Sequence, residues 1–230
     1  MNRPHPGAIM FIGPPGSGKG TQANAIVDAR SEYYHFDTGR ELELILNDPK
    51  WRDDPEMEMR REKFRKGYLS DSDWTVSVIK EGLAKIAASG RGIIFSGSPR
   101  TREEANFLLP ELIDTYGLES IVVIHLSVKL ESSVFRNSRR KICSRCGRPL
   151  MWSPENEKLA FCPLCGGELV SRSLDNAESM KLRLEEYRHR TEEVLNFCTA
   201  LGVRIFNIDG DRLPEEVTRN ILAILDTQFA

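Results

Sequence analysis

The chain has 230 residues, 40% of them hydrophobic and 29% charged, enough apolar material for one sizeable core carrying insertions. Its 32 basic and 34 acidic residues leave a net charge of −2, so no global field argues for a nucleic-acid or membrane partner. The opening Met1-Asn2-Arg3-Pro4-His5-Pro6 has no apolar signal region, and the apolar run over 9–12 is too short to span a bilayer; a cytoplasmic protein is expected.

In chain order, an apolar run predicts a strand over 8–12, followed by a helix over 21–29. A strongly charged helical stretch fills 38–70. Helix 72–88, strand 92–95, helix 103–116, strand 121–126 and helix 130–140 then alternate. Residues 141–172 interrupt the rhythm with four cysteines, three prolines and three glycines. A long helix over 176–199 follows, opened by Asp175 and Glu178 at capping-box spacing and striped by Met180, Leu184, Tyr187, Val194, Leu195 and Cys198. Strand 203–206 and helix 214–227 close the chain. Short continuous apolar strands between helices indicate a parallel sheet covered on both faces. On the striped helix Cys198 reads as a buried apolar residue, not a reactive thiol.

Gly13-Pro14-Pro15-Gly16-Ser17-Gly18-Lys19-Gly20-Thr21 joins the first strand to the first helix. Glycines let backbone N–H groups approach an anion without a Cβ in the way, the helix N-terminus faces the same point, and Lys19 adds a mobile charge. A phosphate loop is expected, although Gly20 stands where a magnesium-binding hydroxyl is usual and Thr21 supplies one a residue later. Cys143-x2-Cys146 and Cys162-x2-Cys165, fifteen residues apart (147–161), pair as two knuckles able to wrap one tetrahedral Zn2+. Lys141, Arg145 and Arg148 are close enough in sequence to offset the charge of four thiolates. Arg136 and Arg140 share a helix face, and Arg172 and Arg183 flank the start of the long helix. Several arginines suit a reaction in which charge spreads over a moving phosphoryl group.

The loop Gly13–Thr21, with Asp37-Thr38-Gly39, Gly97-Ser98-Pro99-Arg100-Thr101, Asn137-Ser138-Arg139-Arg140 and Asp209-Gly210 following in order, resembles the adenylate kinase family over almost the whole chain. The resemblance implies a three-layer α/β P-loop NTPase fold: a core of 1–36, 71–139 and 173–230, a helical monophosphate-binding insertion at 37–70, and a zinc-ribbon-like lid at 140–172. It implies transfer of the γ-phosphoryl group of Mg2+-ATP to AMP by a monomer, with structural Zn2+ and neither nucleic acid nor membrane as partner. It places Gly13, Pro14, Pro15, Gly16, Ser17, Gly18, Lys19, Gly20, Thr21 and Arg136 on ATP. Lys19, Arg140, Arg172 and Arg183 fall on the transferring phosphates, and Thr38, Gly39, Arg40, Gly97, Arg100 and Glu104 on AMP.

The sequence departs from the family pattern at four points. Ser96 stands in place of an acid, Glu43 in place of an arginine, Glu104 in place of the glutamine that reads adenine, and Leu174, before Asp175, in place of an aspartate. Thr38 with Glu41 and Thr101 with Glu104 also match helix-start boxes. Arg40 could substitute as a phosphate ligand, with Glu43 as its ion-pair partner. The rivals are a kinase with another acceptor such as GMP, and a zinc-containing nucleotide sensor with little turnover. His5, His35, His125 and His189 form no recognised spacing; His125 reads as a core or strand-end residue.

Overall fold

The computed structural model describes residues 6–171 and 177–229. Strands β1 (Ala8–Ile12), β2 (Tyr33–Phe36), β3 (Gly92–Phe95), β4 (Ile121–Ser127) and β8 (Arg204–Asp209) form one parallel sheet in the order β2-β3-β1-β4-β8. The period-2 alternation of a strand divides β1 between two cores. Ala8, Met10 and Ile12 pack with helices α4 (Ser72–Ala88), α5 (Arg102–Tyr116) and α9 (Glu192–Ala200) on one face. Ile9 and Phe11 pack with α1 (Lys19–Ala29) and α10 (Pro214–Gln228) on the other. Central strands buried on both faces must be apolar throughout, which is why β1 and β3 read as unbroken runs. Each fully buried Leu or Ile contributes about 1.5–3 kcal/mol of transfer free energy, and Leu108, Leu109 and Leu112 of α5 lie wholly inside.

Two excursions leave this layered body. Helices α2 (Thr38–Leu46) and α3 (Pro55–Lys66) follow β2, and Asp37 and Asp54 cap them by accepting from the Arg40 and Met57 amides at 3.3 and 2.9 Å. Asp37, not the expected Thr38, is therefore the cap of α2; Thr38 is its first residue. Arg61 of α3 is folded inward and donates to the Leu46 carbonyl at 2.8 Å and to the Trp51 carbonyl, fixing α3 on the end of α2. The cysteine segment forms a small antiparallel sheet of β5 (Lys141–Cys143), β6 (Pro149–Leu150) and β7 (Leu169–Ser171), in the order β6-β5-β7, with α7 (Pro154–Glu157) beside it.

The long helix expected over 176–199 is broken. Helix α8 (Ala177–Glu186) passes into a π-helical turn at Tyr187–Thr191 before α9 begins. Such a turn inserts a residue and re-aims the helix. It carries Thr191, whose hydroxyl donates to the Arg100 carbonyl at 3.0 Å. Cys198 is fully buried, as expected. The expected cap Asp175 lies outside the described residues, as do Arg172 and Leu174, and its partner Glu178 is described only as part of α8.

Candidate active site

The carboxyl ends of β1, β2 and β3 open on one cleft of about 1640 Å³. Open parallel sheets bind ligands at this end, where loops and helix N-termini converge. Gly16 and Gly18 adopt φ of 78° and 95°, a left-handed backbone that side chains resist. A Cβ on Gly16 would also stand 2.3 Å from Asn137 Nδ2, so the loop can lie against α6 (Leu130–Ser138) only as glycine. From α6, Ser133 donates to the Pro15 carbonyl at 2.6 Å, and Asn137 donates to the Ser133 carbonyl at 2.7 Å. The phosphate loop is thus braced from outside and turns its inner face to the cleft.

Lys19 is folded onto its own loop, donating to the Gly13 and Pro14 carbonyls at 2.6 and 2.8 Å. Burial holds its pKa well below the usual lysine value, and the charges of Arg100, Arg183 and Arg140 push the same way, with Asp37 opposing. Lys19, Arg100, Arg140 and Arg183 all line this cleft, and their shared positive field asks for polyanionic phosphate. Arg136, one turn before Arg140, is fixed at the far end, donating to the Gly210 carbonyl at 2.7 Å.

A second hollow, only about 40 Å³, lies between α2 and the loop after β3, lined by Thr38, Gly39, Gly97, Arg100, Glu104 and Arg183 among others. The hydroxyls of Thr38 here and Thr75 beside it are buried without a hydrogen-bond partner. Such orphans cost about 1–3 kcal/mol each until a ligand or water meets them. Glu104 is only 2% exposed. Its Oε2 accepts from the Arg100 amide at 2.8 Å, and its own amide donates to Thr101 Oγ1 at 3.1 Å. The helix-start box at Thr101–Glu104 is therefore formed, shifted by one residue on the carboxylate side. Burial raises the Glu104 pKa, against the amide and charge of Arg100.

Arg40 does not pair with Glu43. Its guanidinium crosses to the cysteine sheet, where Nη1 donates to the Cys146 carbonyl at 2.5 Å. Arg148 pairs with Asp28 of α1 while remaining in the field of the Cys146 and Cys162 thiols, Arg145 donates to the Cys165 carbonyl at 3.0 Å, and Lys141 to the Glu157 and Leu159 carbonyls at 2.7 and 2.9 Å. The three cations thus hold the segment together and onto the core, and Arg148 also meets the charge of the thiols as expected.

The four thiols are free and their sulfurs all lie within 4.8 Å of one another, with Cys143–Cys165 at 3.4 Å and Cys146–Cys162 at 3.9 Å. A tetrahedron with metal–sulfur bonds of about 2.3 Å has edges of about 3.8 Å, so this set fits one metal ion. The Cys146 amide donates to Cys143 Sγ at 3.4 Å, and that bond, against burial, draws the Cys143 thiol down to about 6.

One group at the cleft carries no signal in sequence spacing. His35 of β2 lies between Asn24 Oδ1 at 2.9 Å and Ser96 Oγ at 2.6 Å. His125 is a strand residue between Asn207 Oδ1 (2.8 Å) and the Tyr187 hydroxyl (3.2 Å), as its position suggested.

A braced glycine loop at the end of a parallel sheet, with Lys19 and three arginines around it, defines a P-loop nucleotide phosphotransferase. The adenylate kinase family model matches residues 11–203. Proteins named adenylate kinase from Desulforamulus reducens, Syntrophomonas wolfei and Bacillus pumilus are 31%, 32% and 32% identical. They cover 93%, 95% and 94% of this chain, and 97%, 99% and 97% of their own lengths. The chain belongs to the adenylate kinase family.

Proposed function

We propose that the chain catalyses reversible transfer of the γ-phosphoryl group of Mg2+-ATP to AMP, giving two ADP. The observation that carries this reading is that Arg100, Arg140 and Arg183 line the same cleft as Lys19 and the phosphate loop. Phosphoryl transfer needs little covalent help from the protein; it needs two polyanions held in line and the developing charge neutralised. The amides of Gly13–Thr21 and Lys19 hold the ATP phosphates, with Arg136 at the nucleoside end. Arg140, Arg183 and Arg172 act on the transferring group. Arg100, on the segment pinned by Thr191, grips the acceptor phosphate, and Thr38, Gly39, Gly97 and Arg40 form the acceptor side.

The segment 140–172 serves as a lid, 37–70 as the monophosphate-binding insertion, and 1–36, 71–139 and 173–230 as the core. Arg40–Cys146 joins insertion to lid and Arg148–Asp28 joins lid to core, an arrangement that supports closure over both nucleotides and exclusion of water. Zn2+ on Cys143, Cys146, Cys162 and Cys165 stiffens the lid so that it moves as a unit, and takes no part in the chemistry. Glu104 acts as a helix cap, because its carboxylate faces the Arg100 amide. AMP is thus the acceptor in preference to GMP. The protein works in the cytoplasm as a monomer, without nucleic acid or membrane. Turnover with Mg2+-ATP and a panel of nucleoside monophosphates tests this: AMP should give the highest kcat/KM, and absence of turnover with every acceptor would leave only a nucleotide sensor.

A further inference from the structure

His35, Ser96 and Asn24 form a chain of hydrogen bonds on the cleft wall that the transfer between nucleotides does not use. Asn24 lies on α1 five residues beyond Lys19, so about 7.5 Å along the helix. Ser96 directly follows β3, one step past the Met10–Phe95 pair of the parallel register and therefore close to where β1 runs into the phosphate loop. Lys19, Asn24, His35 and Ser96 all line the same cleft. The Asn24 carbonyl oxygen can only accept, so His35 Nδ1 carries the proton and donates to it at 2.9 Å. Nε2 is then the bare nitrogen, and the Ser96 hydroxyl donates to it at 2.6 Å. Burial lowers the His35 pKa, as do Arg40 and Arg148, with Asp37 opposing, so the imidazole stays neutral. A hydroxyl held on a neutral imidazole that a third group orients is the arrangement of an activated nucleophile.

We propose that Ser96 is itself a phosphoryl acceptor, with His35 as its general base, so that the cleft phosphorylates its own wall when ATP is bound and no monophosphate is present. The inference rests on the reading of this cleft as a γ-phosphoryl transfer site. In the step, a bond forms from Ser96 Oγ to the γ-phosphorus and the bond from that phosphorus to the β,γ-bridging oxygen breaks. ADP leaves with the electron pair, the hydroxyl proton passes to His35 Nε2, and from there it goes to solvent. A loose transition state needs little nucleophile deprotonation at the outset, so a weakly basic imidazole is sufficient. Lys19 and the arginines already described serve this transfer as they serve the other.

The test is incubation of the full chain with magnesium and γ-labelled ATP, without monophosphate, followed by peptide mapping. Transfer to AMP is measured on the same preparations. The wild type should gain label on the peptide containing Ser96, Ser96→Ala should gain none there, and His35→Gln should label more slowly by on the order of 10²-fold. A wild type that phosphorylates AMP yet leaves Ser96 unlabelled overturns the inference and leaves the kinase reading intact. Equal labelling rates in wild type and His35→Gln overturn the role of His35. Failure of both reactions overturns the inference and the kinase reading together.

Discussion

Arg148 and Asp28 form a two-pronged ion pair that ties the cysteine-bearing sheet to the first core helix. Arg148 Nη1 donates to Asp28 Oδ2 at 2.6 Å, and Nη2 donates to Oδ1. The two side chains are 33% and 53% exposed, so solvent and salt weaken the attraction. A surface pair of this kind contributes about 0.2–1 kcal/mol. Arg148→Ala should therefore raise KM for ATP by no more than about fivefold, with an effect that shrinks as salt rises. Steady-state kinetics at low and high sodium chloride check this; a salt-independent loss would assign Arg148 to nucleotide contact instead.

The metal prediction concerns the thiols. Protein expressed with ample metal should carry one zinc per chain. Cys143→Ser or Cys162→Ser should lower the temperature at which the lid unfolds while the core transition stays put, because no core strand depends on the sulfurs. Elemental analysis with domain-resolved thermal unfolding reads both. Zinc-free protein from metal-replete cells would refute the assignment, whereas activity surviving chelation is expected of a metal that only stiffens.

Glu104 offers a test of base reading against capping. Glutamine keeps an oxygen for the Arg100 amide, so Glu104→Gln should leave the AMP-to-GMP ratio of kcat/KM unchanged. A reversed preference would make Glu104 a reader of the base. The same variant has a pH signature. Burial raises the folded pKa above the ordinary 4.5, so the unfolded chain ionises first and stability is lost as pH rises from that value through the folded one. The Gln variant escapes this loss, and its Tm should gain on the parent as pH rises above 4.5. A constant Tm difference across that range would contradict the linkage.

Arg140 probes the transition state. If its contact strengthens only as charge develops, Arg140→Ala should lower kcat by on the order of 10²–10³-fold and leave ATP affinity within a few-fold. Equal losses in binding and turnover, read by calorimetry and initial rates, would place Arg140 on the ground-state nucleotide.

The central strands were legible because burial on both faces forces unbroken apolar runs, as in Ile93, Ile94 and Phe95. Strand β2 was not, because Tyr33-Tyr34-His35-Phe36 sits on the sheet edge with Tyr34 facing solvent, and an edge tolerates polar residues. Local spacing offered Thr38 as a cap of the Glu41 amide, but Asp37 one residue earlier starts the helix by accepting from the Arg40 amide. Helical periodicity ran straight through 187–191, since a π turn shifts the stripe without changing its composition. The phosphate loop and the cysteine pairs are local patterns with their chemistry in the spacing. The His35–Ser96 contact joins residues 61 apart, and the turn of Arg40 toward Cys146 joins residues 106 apart; both exist only once the sheet and the insertion are folded.

The most direct test is the rate of ADP formation from Mg2+-ATP and AMP in the parent and in Lys19→Ala. No other side chain of the loop carries a positive charge to the same phosphate oxygens. The parent should form two ADP for each ATP consumed, and Lys19→Ala should fall by at least about 10²–10³-fold. ADP formation at the parental rate without Lys19, or none from AMP in the parent, would contradict transfer at this phosphate loop.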